Sequence, residues 1–156
     1  MRIRYSFVLH AHLGLSNSGC CIILVDRVVA YLYNPIMPRL TTFESSEIAR
    51  LALDVASDKQ AYDVVMLDIR EVSDFTDFFV ILTGNSSRHL SSLIDDIETA
   101  LESRGAVLHH REGSSDSGWV LMDFGDLIVH LFRDQERDYY DIEDAWPRGT
   151  EVIRIQ

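Results

Sequence analysis

Apolar residues recur with two different spacings after residue 44, and these spacings predict helices and strands. Around Ile48 and Leu93 they return every three or four positions, the repeat of one helix face. Around Val65 and Val80 they form short continuous runs, which are typical of buried strands. The first predicted elements are a helix over 44–59, strands over 64–67 and 78–82, and a helix with its apolar face on Leu90, Leu93, Ile94, Ile97 and Leu101. A strand over 107–111, a polar loop over 112–118 and strands over 119–124 and 127–132 follow. The chain then has a last helix, which carries Tyr139, Tyr140, Ile142, Glu143 and Trp146 and ends at Pro147, and an edge strand over 151–155.

Turn and cap residues mark where these elements begin and end. Thr41 and Glu44 have the spacing of a capping box at the start of the first helix. Gly105 predicts the left-handed residue that ends the second helix. Gly125 and Asp126 predict a two-residue hairpin turn, because glycine comes first.

This short turn fixes the register of the two strands that it joins, and so sorts their side chains onto two faces. One face is predicted to lie in the core and pairs Phe124 with Leu127, Met122 with Val129, and Val120 with Leu131. The other pairs Trp119 with Phe132, Leu121 with His130, and Asp123 with Ile128. Because the second face is mostly apolar, we expect a helix to cover it or a partner to bind it.

The order of elements predicts an α/β fold in which helices pack on a mixed β-sheet. The antiparallel hairpin argues against a purely doubly wound sheet. Residues 44–147 are predicted to form the domain, and residues 148–156 a C-terminal tail. Residues 1–43 are predicted to be an N-terminal extension, disordered or outside the fold. A transit or export signal is the alternative for this segment, because Tyr5 to Val25 contains no charged residue.

Charge divides the chain at about the same place. The net charge of the 156 residues is −11, but residues 1–43 carry +3 and residues 44–156 carry −14. An acidic domain repels phosphate backbones, so we expect a basic protein as partner and no direct nucleic-acid binding. No apolar stretch reaches the roughly 20 residues of a membrane span. The only cysteines, Cys20 and Cys21, are neighbours, which suits a reducing cytoplasmic location.

Two sets of residues could bind a phosphate or a metal ion, but a structural role explains both sets better. Gly84, Asn85 and Ser86 precede a helix and would suit a phosphate, but they lack the lysine of a Walker loop. Asp123 and His130 suggest a metal site, but the hairpin register places them at separate positions on two strands. We therefore predict no catalytic residue, no metal and no cofactor.

Three stretches, in the same order as in a known family, carry a specific resemblance. They are Asp77–His89, Trp119–His130 and Tyr140–Trp146, and they resemble the ribosomal silencing factor family, RsfS, also called Iojap or YbeB. The resemblance covers about residues 44–147. It implies a domain with nucleotidyltransferase-like topology and no enzymatic activity. It also implies that the protein binds large-subunit ribosomal protein fourteen, blocks joining of the subunits and represses translation under nutrient limitation.

The hairpin face is the predicted contact surface, and a homodimer is an alternative use of it. The predicted partner-binding residues are Trp119, Leu121, Asp123, Asp126, His130, Phe132, Tyr139 and Tyr140. The residues predicted to hold turns and helix starts are Asp77, Gly84, Ser87, His89 and Gly125. The alternative function is a metal-dependent nucleotidyltransferase-like enzyme, with phosphate at Gly84–Ser86 and a divalent metal at Asp123.

Overall fold

The computed structural model describes residues 21–25, 28–32 and 44–156, and the chain divides into two compact units, Met1–Pro38 and Arg39–Gln156. In the first unit, strand β1 (Cys21–Val25) pairs antiparallel with strand β2 (Val28–Leu32). The sequence pattern assigned no element to this segment. That residues 1–43 form an extension outside the domain stays a prediction.

The second unit contains a six-stranded mixed sheet and four α-helices. The strands lie in the order β5-β6-β7-β4-β3-β8, in which β4 and β7 are parallel and all other neighbours antiparallel. The α/β class with a mixed sheet is thereby confirmed, whereas the nucleotidyltransferase-like topology stays a prediction. The elements are α1 (Ser45–Asp58), β3 (Tyr62–Asp68), β4 (Phe78–Thr83), α2 (Ser87–Ser103), β5 (His110–Ser114), a 3-10 turn (Ser115–Ser117), β6 (Trp119–Asp123), β7 (Leu127–Phe132), α3 (Asp134–Tyr140), α4 (Ile142–Ala145) and β8 (Thr150–Ile155).

The main core lies between one face of this sheet and the helices α1 and α2. The whole apolar face predicted for α2 is buried there, together with Ile48 and Ala52 of α1. The hairpin register is confirmed, because Met122 pairs with Val129 and Val120 with Leu131. All six hairpin residues predicted for the core belong to this cluster. None of the helices in the described part of the chain has the length and apolar character needed to span a bilayer.

The start of α1 differs from the prediction. Glu44 is the N-cap residue, whereas a capping box led by Thr41 would place Glu44 three residues into the helix. Thr41 itself lies outside the described residues. The first turn of α1 instead contacts the loop before β4, because the Ser45 hydroxyl donates to the Asp77 carboxylate at 2.8 Å.

Two predicted elements near the C-terminus are also wrong in detail. Strand β5 begins at His110 and ends at Ser114, within the predicted polar loop, while Val107 is 60% exposed. As an edge strand, β5 is held by main-chain pairing to β6 and has no buried face that would reveal it in the sequence. The predicted last helix is broken into α3 and α4 at Asp141, whose φ of +43° lies in the left-handed region. The predicted edge strand in the tail is confirmed as β8, next to β3.

Gly118 connects the β5–β6 hairpin to the start of α3. Its φ is +79°, its carbonyl accepts the Arg133 amide at 2.8 Å, and a Cβ there would overlap the Glu136 carboxylate. We expect Gly118→Ala to lower the free energy of unfolding by about 2 kcal/mol, from backbone strain plus displacement of the Glu136 carboxylate. Gly105→Ala is the matched control, because Gly105 has φ +85° and open space around it, and should cost about 1 kcal/mol. Equal losses for both variants in urea denaturation would contradict the contact.

Candidate partner-binding site

The hairpin face opposite the main core is the predicted contact surface, and its cross-strand pairs are as predicted. Trp119 lies opposite Phe132, Leu121 opposite His130, and Asp123 opposite Ile128. Three of the predicted contact residues on this face are buried, however: Leu121 and His130 are 2% exposed and Phe132 is fully buried. As direct contacts in this conformation these three predictions are wrong, and the residues form the floor of the surface instead.

This floor is a set of near-parallel rings. Phe132 stacks on Trp119 with centroids 5.7 Å apart and planes 8° apart, and His130 lies 6.0 Å from Phe132 at 7°. Phe79 of β4 meets the imidazole edge-on at 5.1 Å. Such ring packing adds to the free energy gained by burial and fixes the ring orientations.

His130 is neutral inside this floor. Burial, together with the nearby positive charge of Arg137, lowers the pKa of His130 to about 3. The Trp119 indole N–H donates to Nδ1 of His130 at 3.4 Å, which leaves the proton of the neutral ring on Nε2. At neutral pH this histidine therefore carries no positive charge, and its part in the site is structural.

Trp119, which stacks on the floor, and Tyr139 and Tyr140 of α3 define a surface that we call the aromatic ridge. The Tyr140 ring is 4.4 Å from the Trp119 ring, and Tyr139 meets Tyr140 edge-on at 5.1 Å. Tyr139 is 64% exposed, while Trp119 and Tyr140 are half-buried. Asp138 and Asp141, next to the tyrosines in the chain, are also exposed. The ridge thus offers large rings with acidic side chains beside them in sequence.

The remaining predicted contacts, Asp123 and Asp126, lie at the other end of the hairpin. The Asp123 carboxylate accepts the Gly125 amide at 2.8 Å, and burial raises the pKa of Asp123 despite that bond and the charges of His109 and His110. The Asp126 carbonyl accepts the amides of Asp77 and Phe78 at 3.0 and 3.1 Å. Since a strand rises about 3.3 Å per residue, this turn lies on the order of 15 Å from Trp119.

The residues predicted to hold turns lie mainly where β4 meets α2. His89 joins two helices, because its Nε2 donates to the Lys59 carbonyl at 2.8 Å while Nδ1 accepts the Asn85 amide at 3.3 Å. A side chain at Gly84 would press on Leu90 and Leu93, so a bulkier residue does not fit without movement. The N-cap of α2 is Ser86, whose hydroxyl accepts the His89 amide, and Ser87 is the first helical residue.

The contacts at Ser86 and Asp123 do not support the alternative function as an enzyme. The Ser86 hydroxyl is used in the helix cap and one Asp123 oxygen in the hairpin turn. Within residues 44–156 and the two described strands before them, no group of three or more His, Cys, Asp or Glu side chains is placed to hold a metal ion.

Sequence reasoning missed a buried arginine under the ridge. Arg137 is 8% exposed and donates to the Asp63 carbonyl at 3.0 Å and to the Thr83 hydroxyl at 3.1 Å. It also pairs with the carboxylates of Asp63 at 3.0 Å and Glu143 at 3.2 Å. The signal in the sequence was an arginine close before two tyrosines, but nothing in the spacing identifies Asp63 as its partner.

The fold and this surface define a small α/β domain with an exposed aromatic ridge. The family model described as "Ribosomal silencing factor during starvation" matches residues 42–156. This chain belongs to the ribosomal silencing factor family.

Individual relatives agree with that assignment. The chain is 34% identical over 102 residues to "Ribosomal silencing factor RsfS" of Halalkalibacterium halodurans, covering 65% of this chain and 87% of that protein. It is 26% identical over 99 residues to "Mitochondrial assembly of ribosomal large subunit protein 1" of Mus musculus, covering 62% and 43%. A crystal structure of a Chromobacterium violaceum protein matches with a TM-score of 0.65 and 30% identity, covering 71% of this chain and 94% of that one.

We expect low pH to destabilise the folded protein through His130. Because its pKa falls from 6.5 to about 3 on folding, the unfolded chain binds the extra proton between these values. The neutral His130 therefore costs no folding stability above pH 6.5, and the free energy of unfolding decreases as the pH falls from 6.5 towards 3. We expect about 2 kcal/mol of loss between pH 7.5 and pH 5 from this group.

The measurement is urea denaturation at several pH values for the wild type and for His130→Asn. Asparagine does not titrate, and its carbonyl can still accept a hydrogen bond from Trp119. The variant should lose the part of the pH dependence that comes from His130, whatever its absolute stability. An identical slope in both proteins would exclude His130 as a source of acid sensitivity.

Proposed function

We propose that this protein binds the large ribosomal subunit through ribosomal protein fourteen, blocks joining of the small subunit and so represses translation under nutrient limitation. Membership of the family supports regulation of the ribosome. The name of the mouse relative, which refers to assembly of the ribosomal large subunit, supports that subunit as the target. The observation that carries the proposal within the structure is the exposed aromatic ridge.

The ridge has the properties of a hot spot, a small group of residues that contributes most of the binding free energy of an interface. Tyr139 is mostly exposed and packs on Tyr140, which in turn packs on Trp119. Tyrosine and tryptophan are enriched among the residues that contribute most to binding, because they bury a large area and lose little side-chain entropy. Asp138 and Asp141 nearby suit a partner with basic side chains.

The proposed mechanism is occlusion and involves no turnover. Ribosomal proteins are basic, so the charge of −14 on residues 44–156 steers the encounter and the ridge holds the complex. A domain of this size on the face where the subunits meet leaves no room for the small subunit. We infer accordingly that the protein is not an enzyme, needs no cofactor and acts in the cytoplasm.

A homodimer is the competing use of the same surface. Two copies that pair through the ridge would hide it from the ribosome, so dimer and ribosome complex would exclude each other. Sedimentation equilibrium of the free protein, compared with its Tyr139→Ala variant, tests this use.

The test of the proposed function is sedimentation of purified large and small subunits through a sucrose gradient with and without the full chain. We expect the protein to migrate with the large subunit and the joined-ribosome peak to shrink. Tyr139→Ala and Tyr140→Ala should each weaken binding about 10- to 30-fold, because a central aromatic is worth roughly 1.4–2 kcal/mol or more.

Val107→Ala is the matched control, because Val107 is a similarly exposed apolar residue that precedes β5 and is not part of the ridge. It should bind as the wild type does. Wild-type protein that stays at the top of the gradient would refute the proposed function. Tyrosine variants that bind normally would leave the ribosome as target but move the interface away from the ridge.

A further inference from the structure

Four charged residues form a network that joins the segment after β7 to the far strands of the sheet; we call them the clamp: Asp63, Arg137, Glu143 and Arg154. Arg154 of β8 pairs with Asp63 at 2.5 Å and with Glu143 at 2.8 Å. Arg137 of α3 pairs with the same two carboxylates. Each acid therefore bridges both arginines, and the clamp ties together β3, α3, α4 and β8.

The backbone at Asp63 is shaped for this role. Asp63 has a φ of +45°, and the β3–β4 register shifts between Tyr62 and Val65. This irregular backbone presents both the carbonyl and the carboxylate of Asp63 to Arg137. The preceding residue adds a second tie, because the Tyr62 hydroxyl donates to the carboxylate of Asp134 in the first turn of α3. Burial and this bond raise the pKa of Tyr62 to about 12.

Helices α3 and α4, which the clamp contacts, are too short to be stable without tertiary contacts. Helix α3 has seven residues and α4 has four, whereas isolated helices below roughly 12 residues are marginal in water. Tyr139 and Tyr140 lie between Arg137 and Glu143, the two clamp residues of this segment. Arg137 faces inwards with 8% exposure, and Tyr139, two residues later, faces outwards.

We propose that Arg137 is a positioning residue for partner binding: through the clamp it fixes α3 and α4 so that Tyr140 packs on Trp119, and Tyr139 on Tyr140, before the partner arrives. An interface that is ordered in advance loses less conformational entropy on binding. The inference rests on the proposed function, because it assigns Arg137 to the same surface. Arg137 itself touches no partner and acts only through the two tyrosines.

The test uses Arg137→Met in the full chain, which keeps an unbranched apolar stem, removes the guanidinium and leaves both clamp acids paired with Arg154. Hydrogen exchange should become about tenfold faster for the amides of residues 134–145, while β4, β6 and β7 keep their protection. Binding to large subunits should weaken about tenfold. Arg50→Met is the control for a lost positive charge, because Arg50 is exposed on α1, and it should change neither measurement.

A double-mutant comparison separates positioning from general destabilisation. If Arg137 acts through the ridge, Arg137→Met should cause less than a twofold further loss of binding in a Tyr139→Ala/Tyr140→Ala background. A tenfold further loss there, or full binding by Arg137→Met alone, would overturn the proposal. If Arg137→Met does not fold, Arg154→Met weakens the clamp from its more exposed side and has to give the same pattern.

The proposed function can fail separately. If the wild type does not bind large subunits, that function is refuted. Hydrogen exchange then remains as the test of whether the clamp orders residues 134–145. Faster exchange confined to residues 134–145 in Arg137→Met then supports positioning of the ridge. Unchanged exchange refutes it.

Discussion

The two-residue turn at Gly125 and Asp126 determines which face each side chain of β6 and β7 occupies, and most of the domain depends on that register. A slip by one residue would put Leu121 and His130 into the main core and move Met122 out of it. The turn is held on both sides. Asp123 accepts the Gly125 amide, and the Asp126 carbonyl accepts two amides at the start of β4. The second pair of bonds also sets where the parallel pairing of β4 and β7 begins.

The same register builds the site at the other end of the hairpin. It places Trp119 opposite Phe132, at the point where the chain leaves β7 and turns into α3. The Arg133 amide bonds to the Gly118 carbonyl at this point, so the exit from β7 is tied to the entry into β6. Tyr140 then reaches back to Trp119. The turn at Gly125 and Asp126 thus determines both which side chains pair in the main core and which form the floor under the aromatic ridge.

The sequence predicted those features that local patterns determine. The apolar repeats of α1 and α2 and the hairpin register follow from neighbours along the chain, and the structure confirms them. The break at Asp141 and the start of β5 do not follow from periodicity, because the first needs a left-handed residue and the second is an edge strand with no buried face. The pattern identified the second hairpin face as apolar. It did not reveal that Leu121, His130 and Phe132 would be buried and Tyr139 exposed, because that depends on contacts with distant parts of the chain. Arg137 depends in the same way on the unusual backbone of Asp63.

Charge and aromatic surface act at different distances in the proposed complex. The acidic charge of residues 44–156 acts over roughly a Debye length, about 8 Å at physiological ionic strength, and so affects the rate of encounter. The ridge acts only on contact, and its contribution depends on how much order it has before binding. The clamp provides this order through Arg137, which is buried and therefore screened less by salt than an exposed charge. Salt is therefore expected to slow association of the protein with its partner much more than it loosens the surface that holds the partner.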